Sequence, residues 1–516
     1  MKRMLAILLI MMLMIPVLPT IAMAEAPLKI TFFDKNTGDL FENPVAEKII
    51  EKTGITVEIQ QPTGNPEEKL NLMLVSGDLP DVVLMDRRST IVNKYITAGA
   101  LVALNDMIDE YAPNVKEMYG DTLEKSRHTD GKNYYLNNWY GLDPDPDRAI
   151  NIRMDILKEC GFEERAVAGD YFTTEEFKQV LAAAKAKDDI NGQAIIPFTL
   201  NSDYLPAITQ TFKGIYGMKF FYETDGKIML DVRDPRYLEM IKYFNTLYLE
   251  GLLDKEWAIN KDPAFQAKAS SGRVFATAGG NPGDANRILR TDNGEDTDNQ
   301  FYMFRVVADG ADPAATTFSP RSTLGWDAIG ITVTNKHPIE TMKFIDYLAS
   351  EEGQYLLMWG VEGLHWDMVD GVHVPRPEVI PGFRENWSEY VKETGIRKWV
   401  WFIKNGYGVD GTPYDVATRY DRDAIGKHSL VSMAGSVWDT APYDNIGPLA
   451  GTPEALIEQK LKDITDKNFA AMIYCESADL VEPMYNDMIA ELDANQASIV
   501  EDIYTNNFNE QMALWS

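Results

Sequence analysis

Three short apolar runs separated by two helical stretches near the N terminus restrict the fold more than any other feature of this chain. Leu28-Lys29-Ile30-Thr31-Phe32-Phe33 is a β-type run, and Pro44 to Lys52 reads as a helix. Ile55-Thr56-Val57-Glu58-Ile59 alternates apolar and polar residues, as a half-buried strand does. Pro66 to Val75 reads as a second helix, opened by proline and acids, apolar at Leu70, Met73 and Leu74, and stopped by Gly77. Pro80 to Met85 is then a buried strand. This β-α-β-α-β order predicts an α/β fold, a mostly parallel sheet covered by helices on both faces.

A second unit begins near Ala149. Thr173 and Glu176 form a capping box, with Phe172 set against Phe177 as a staple, and Val180, Leu181 and Ala184 continue an apolar helical face. Thr291 to Gln300 reads as a surface loop. Ala328 to Val333 is another strand, Pro338 opens a helix with Met342, Ile345 and Leu348 inward, and the tail is helical from Pro453 to about Ile503. At 516 residues the chain is long enough for two domain-sized units. No repeat and no flexible tether separates them, so the connections are expected to be short crossovers.

Composition narrows the class. With 45% hydrophobic, 25% charged and 11% aromatic residues the chain is a folded one. Its charge is −30, and such a surface repels nucleic-acid backbones and anionic lipid while favouring a soluble monomer. Residues 1–24 read as a secretory leader: Lys2 and Arg3, the apolar stretch Leu5 to Met14, Pro16 and Pro19, then Ala22-Met23-Ala24 before Glu25. Lys2 and Arg3 are the only charges ahead of Glu25, so their loss takes −30 to −32. Glu25 offers no thiol for lipid attachment, and a periplasmic or freely secreted protein is expected. Cys160 and Cys475 are the only cysteines, with no metal-binding spacing around them. A bridge between them stays open from sequence alone, two buried thiols being the simpler reading.

Six segments in order carry a resemblance. They are Leu70 to Val82, with Gly77-Asp78-Leu79-Pro80-Asp81; Gly99 to Asn105; Asp130-Gly131-Lys132-Asn133-Tyr134-Tyr135; Ile152 to Gly161; Trp326 to Leu348, with Asn335-Lys336-His337-Pro338; and Gly360 to Gly371, with Gly360-Val361-Glu362-Gly363 and Asp370-Gly371. Together they resemble the extracellular solute-binding proteins of ABC importers, the large oligosaccharide-binding group that includes maltose-binding proteins. The last segment resembles a long-chain subgroup of LipO-type proteins and receptors for alginate and pectin fragments. The resemblance implies a type II periplasmic-binding fold, two α/β lobes joined by crossovers and closing by a hinge around a sugar. It also implies membrane permease and ATPase partners. By analogy, lobe one comprises 25–148 and 282–350, and lobe two 149–281 and 351–516. Long-chain relatives often have a calcium loop after the capped helix. Here Asp188 to Pro197 lacks its late acids, leaving too few hard oxygens for a strong site; no cofactor is expected, with calcium in this degenerate loop the open alternative.

A sugar site needs flat aromatic faces and planar polar groups. Ligands of open α/β sheets bind outside the carboxyl ends of the strands. That points to Asp34 after the first strand, Asp86 and Arg87 after the third, and Trp139 and Tyr140 before the first crossover. Asn281 stands near the second crossover and Trp326 at the return segment. Trp366 and Trp438 are further candidates, together with Trp399 and Trp401. For each charged residue a solvated loop end is the competing reading. A secreted glycoside hydrolase with paired carboxylates is the alternative function, although 79 acids make any pairing unspecific. There is no H-E-x-x-H, no G-x-S-x-G and no phosphate loop. His365 and His373 flank Asp367 and Asp370 in a pattern that suggests a metal, but an Asp370-Gly371 hairpin turn explains that segment more simply. A peptide or metal chaperone fits the charge and none of the ordered segments.

Overall fold

The computed structural model describes residues 26–140, 145–187, 192–280, 285–287, 289–290, 298–449 and 451–515. The expected leader, Asn281, the side chain of Tyr140, residues 188–191 of the degenerate calcium loop and residues 291–297 lie outside the described portion.

The N-terminal alternation folds as its periodicity demands. Strand β1 (Leu28–Phe33) is followed by α1 (Pro44–Thr53), β2 (Ile55–Gln60), α2 (Pro66–Ser76) and β3 (Val82–Asp86). Both helices start at Pro after an Asn whose side-chain oxygen caps the first turn, Asn43 on the Ala46 N–H and Asn65 on the Glu67 N–H. β1 pairs in parallel with β2 and β3. The two-residue β4 (Leu136–Asn137) and the return strand Asp327–Ile331 complete a sheet of order β2-β1-β3-return-β4. Alternate residues serve opposite faces: Ile30, Phe32, Val82 and Leu84 enter one core, while Phe33, Val83 and Met85 enter a smaller one.

The second sheet has the order β8-β5-β7-β6, from β5 (Arg148–Arg153), β6 (Ile196–Phe198), β7 (Val274–Gly280) and β8 (Phe301–Phe304). It is mixed rather than mostly parallel. β7 runs parallel to β6, and β5 is antiparallel to both β7 and β8. The cause is the crossover itself. The chain enters β5 at the edge where β7 ends, Arg148 opposite Gly280, and it re-enters the first sheet at Asp327 opposite Asp86. A strand entering at the carboxyl edge must run backwards.

The capping box is present: the Thr173 hydroxyl accepts the Glu176 N–H at 3.2 Å and the Glu176 carboxylate accepts the Thr173 N–H at 2.9 Å, opening α3 (Thr174–Lys185). Thr173→Ala is expected to cost about 1 kcal/mol, read as a small fall in denaturation midpoint without loss of secondary structure.

The lobe boundaries need correction. Phe301–Phe304 pairs with β5 and lies in the second lobe, where the sequence reading gave it to the first. Conversely α5 (Glu351–Trp359) and the stretch to Val416, given to the second lobe on the sequence, join α4 (Pro338–Ala349) in the first core through Tyr355, Trp359, Trp399 and Trp401. Among the described residues the chain therefore changes lobe three times: between Trp139 and Ala149, between Ala308 and Trp326, and between Val416 and Met433. The tail forms α6 (Pro453–Ile473), α7 (Ala478–Ala494) and α8 (Ala497–Trp515), buried against the second core through Leu461, Phe469, Met488 and Val500. The Trp515 indole N–H reaches back to the Lys125 carbonyl in the first lobe at 3.2 Å. Cys160 and Cys475 are free thiols. Among the described residues no helix is long and apolar enough to cross a membrane.

Candidate ligand cleft

The carboxyl edge of the first sheet faces the second lobe and gathers most of the residues expected at the site. Asp34 is 2% exposed; its carboxylate accepts the Trp401 indole N–H and the Asn36 N–H, each at 2.8 Å. Burial raises its pKa, against those hydrogen bonds. Asp34 thus braces the edge, and Trp399 and Trp401 are core residues. Asp86 is half-exposed and caps its turn, accepting the Arg88 N–H at 2.9 Å. Arg87 is buried. Its Nη2 donates to the Gly325 carbonyl (2.8 Å), Ser322 Oγ (3.1 Å) and Asp444 Oδ2 (2.6 Å), and its Nε also reaches Gly325. Gly325 tolerates no side chain, since at its φ of +65° a Cβ would lie 2.1 Å from the Trp139 carbonyl oxygen.

Trp139 and Trp326 come together, their rings 5.8 Å apart and 23° from parallel. Trp326 is 42% exposed, and the Arg397 guanidinium stands 5.8 Å from the Trp139 ring. Between them Asp327 is fully buried, paired with Lys35 at 2.6 Å, and Asn138 Oδ1 accepts the Asp327 N–H at 3.0 Å. Strand-end reasoning picks out both tryptophans. It misses Lys35, Asn138 and Asp327, each of which stands one position from a chosen residue.

On the second-lobe side, Trp438 sits in the strand Val437–Asp439, paired with Ser319–Arg321 of the crossover. Its indole N–H donates to the Thr317 carbonyl at 3.2 Å, Phe220 packs edge-on at 5.1 Å, and the Lys219 ammonium lies 5.8 Å from its ring. A cavity of about 350 Å³ there is lined by Trp438, Asp145, Arg321 and Asp439. A larger one, about 630 Å³, lies between Arg87, Arg88 and Tyr135 of the first lobe and Phe220, Tyr443 and Leu514 of the second. Both volumes are within the range of small-molecule sites.

Trp366 does not join them. It is buried in the first core, its indole N–H on the Gly360 carbonyl at 2.9 Å. The hairpin Trp366–Val369 with Val372–Pro375 turns at Asp370 and Gly371, both at positive φ. His373 bonds to Asp410 at 2.6 Å and stacks on Tyr355, and among the described residues no cluster suited to a metal occurs. His365 accepts the Val361 N–H on Nδ1 at 3.0 Å, and burial lowers its pKa to about 4. On acidification the unfolded chain therefore takes up this proton first, near its ordinary 6.5. The stability that neutral His365 contributes is full above that pH and is lost as pH falls toward 4. Denaturation titrations should show this slope, and His365→Asn should flatten it; an unaltered slope would assign it to other groups.

Two α/β lobes, three crossovers and a cleft edged by the exposed Trp326 and the half-buried Trp139 and Trp438 define the architecture of a two-lobe binding protein. The family model for bacterial extracellular solute-binding proteins matches residues 34–355, and the chain belongs to that family. It is 25% identical over 339 residues to lipoprotein LipO of Bacillus subtilis, covering 63% of this chain and 64% of LipO. It is 28% identical over 233 residues to the fructooligosaccharide ABC transporter substrate-binding protein FusA of Streptococcus pneumoniae, 42% of each chain. The matches thus span less than two thirds of either relative. An extracellular solute-binding protein from Bifidobacterium longum subsp. infantis shares the fold over 95% of this chain and 99% of its own, with a TM-score of 0.69 at 18% identity.

Proposed function

We propose that this protein is the receptor of an ABC importer, capturing an oligosaccharide between its lobes and presenting it to a membrane permease with its ATPase. The observation that carries this reading is the stacked Trp139–Trp326 pair, with Trp326 open at the carboxyl edge of the first sheet. Indole faces of this kind suit the apolar C–H surface of a sugar ring, and the neighbouring polar groups suit its hydroxyls. Family membership and the named ligand of FusA support it. The reading needs no catalytic residue and no cofactor. A hydrolase needs two carboxylates free to flank a glycosidic bond, whereas Asp34 and Asp327 at this edge are buried and engaged. With Glu25 at the expected cleavage point, the mature protein works as a soluble exported monomer.

The test is a thermal-shift panel of oligosaccharides run beside a product assay. A ligand at a hundred times its Kd stabilises the native form by about 2.7 kcal/mol. Stabilisation without turnover is expected; hydrolysis at catalytic rates would overturn the receptor reading.

A further inference from the structure

Most charges along the cleft are matched. Lys35 pairs with Asp327, Arg87 with Asp444, Arg397 with Asp415, and Arg419 and Arg422 with Asp145. Arg148 is different. It is the first residue of β5, at the edge where the first crossover enters the second lobe. Its backbone N–H donates to Ser319 Oγ at 3.2 Å, yet its half-buried guanidinium has no hydrogen bond or ion pair among the described residues. The adjacent Asp147 carboxylate is turned to Arg321, at 3.4 Å. Burial lowers the Arg148 pKa; Asp147 opposes this, and the fields of Arg321 and Arg88 add to it. Arg88, from the first lobe, is exposed, with Asp86 at 4.0 Å.

A second observation is independent of that charge. Gln210, on the helix Leu205–Ile215, is 3% exposed, and its amide nitrogen has no acceptor. Gln210 and Arg148 line one cavity of about 590 Å³, which adjoins the interlobe cavity at Phe220 and Phe221. Elsewhere on its wall Lys213 pairs with Asp231 and Lys462 with Asp466, and Glu458 takes the Tyr504 hydroxyl. Arg321 Nε, at the crossover, is also buried without an acceptor. Unpaired buried donors and an unpaired guanidinium are costly to the protein alone. A neutral hydroxyl can fill one donor but leaves the charge. A carboxylate is acceptor-only, carries the opposite sign and matches a guanidinium with two oxygens.

We propose that the ligand is an anionic saccharide, one bearing a uronic acid unit, and that Arg148 receives its carboxylate with Arg88 and Arg321 reinforcing the field. The inference rests on the receptor reading and names the substrate class, with the carboxylate placed in the cavity that adjoins the interlobe one.

Isothermal titration of the full chain with oligogalacturonides, oligoalginates and glucuronoxylan fragments, each beside its methyl ester, tests it. The ester keeps the ring and removes the charge. The acid form should bind roughly tenfold tighter or more, and the preference should shrink as salt rises. Arg148→Gln should abolish most of that preference. Arg148→Lys should restore only part, since an ammonium lacks the two-pronged fit. Equal affinity for acid and ester, or a preference that survives Arg148→Gln, would overturn the proposal; the ester comparison on the unaltered protein decides it even where a variant fails to fold. Neutral oligosaccharides binding with no acid preference would defeat this inference and leave the receptor reading standing. Binding of no saccharide at all would defeat both.

Discussion

Arg87→Ala should melt far below the unaltered protein. The guanidinium and the Asp444 carboxylate are 2% and 10% exposed, and Ser322 Oγ, at 2.8 Å, is the other donor to that carboxylate. Removing the arginine leaves a buried acid with one neutral partner and strands the Gly325 carbonyl. Breaking a buried pair from one side costs about 3–5 kcal/mol. In a chain of two large cores that corresponds to a drop on the order of 10 °C, measured by calorimetry. Asp444→Asn in the same protein should recover part of the loss, because the stranded charge is gone. An unchanged melting point would mean that solvent reaches the pair freely. The effect matters beyond stability, because Arg87 ties the first lobe to the crossover at Gly325 and to a segment packed on the second lobe.

The second large effect is on binding. Trp326→Ala should weaken the ligand found in the saccharide panel by about 2 kcal/mol, roughly thirtyfold. The fold should survive, because Trp326 is well exposed. Trp139→Ala should weaken binding comparably and also cost some stability, since Trp139 packs against the first core. Trp326→Phe should retain part of the affinity. Unchanged affinity in both alanine variants would place the ligand elsewhere.

What could be read in the sequence was whatever is encoded locally. Proline starts, the Thr173–Glu176 box and the alternation of β2 each act within a few residues, and each is found where its pattern stands. The segments that carry the family resemblance behave likewise. Asp81 accepts the Thr31 N–H and hydroxyl, at 2.7 and 2.8 Å, and the Asn335 amide donates to the Asp81 carbonyl at 3.3 Å. They staple strands together, which is why they announce the fold and say little about a ligand. The lobe assignment of Phe301–Phe304 was not legible, because it depends on a free edge of β5 contributed 150 residues earlier. Nor could composition separate Trp366 from Trp326: one indole N–H finds a carbonyl inside a core and the other ring is left at an edge. Arg148 escaped notice for a similar reason. An arginine at a strand start is ordinary until its neighbours prove to be spoken for.

The three crossovers also bear on inheritance. Neither lobe is one continuous stretch of gene, and the first sheet is complete only when the return strand, about 190 residues after β4, has been made. A single recombination event joins halves whose strands lack their partners, so a lobe cannot be exchanged between relatives by one cut. Diversification of what such a receptor carries must then proceed by replacing individual residues along the cleft, within a scaffold passed on whole.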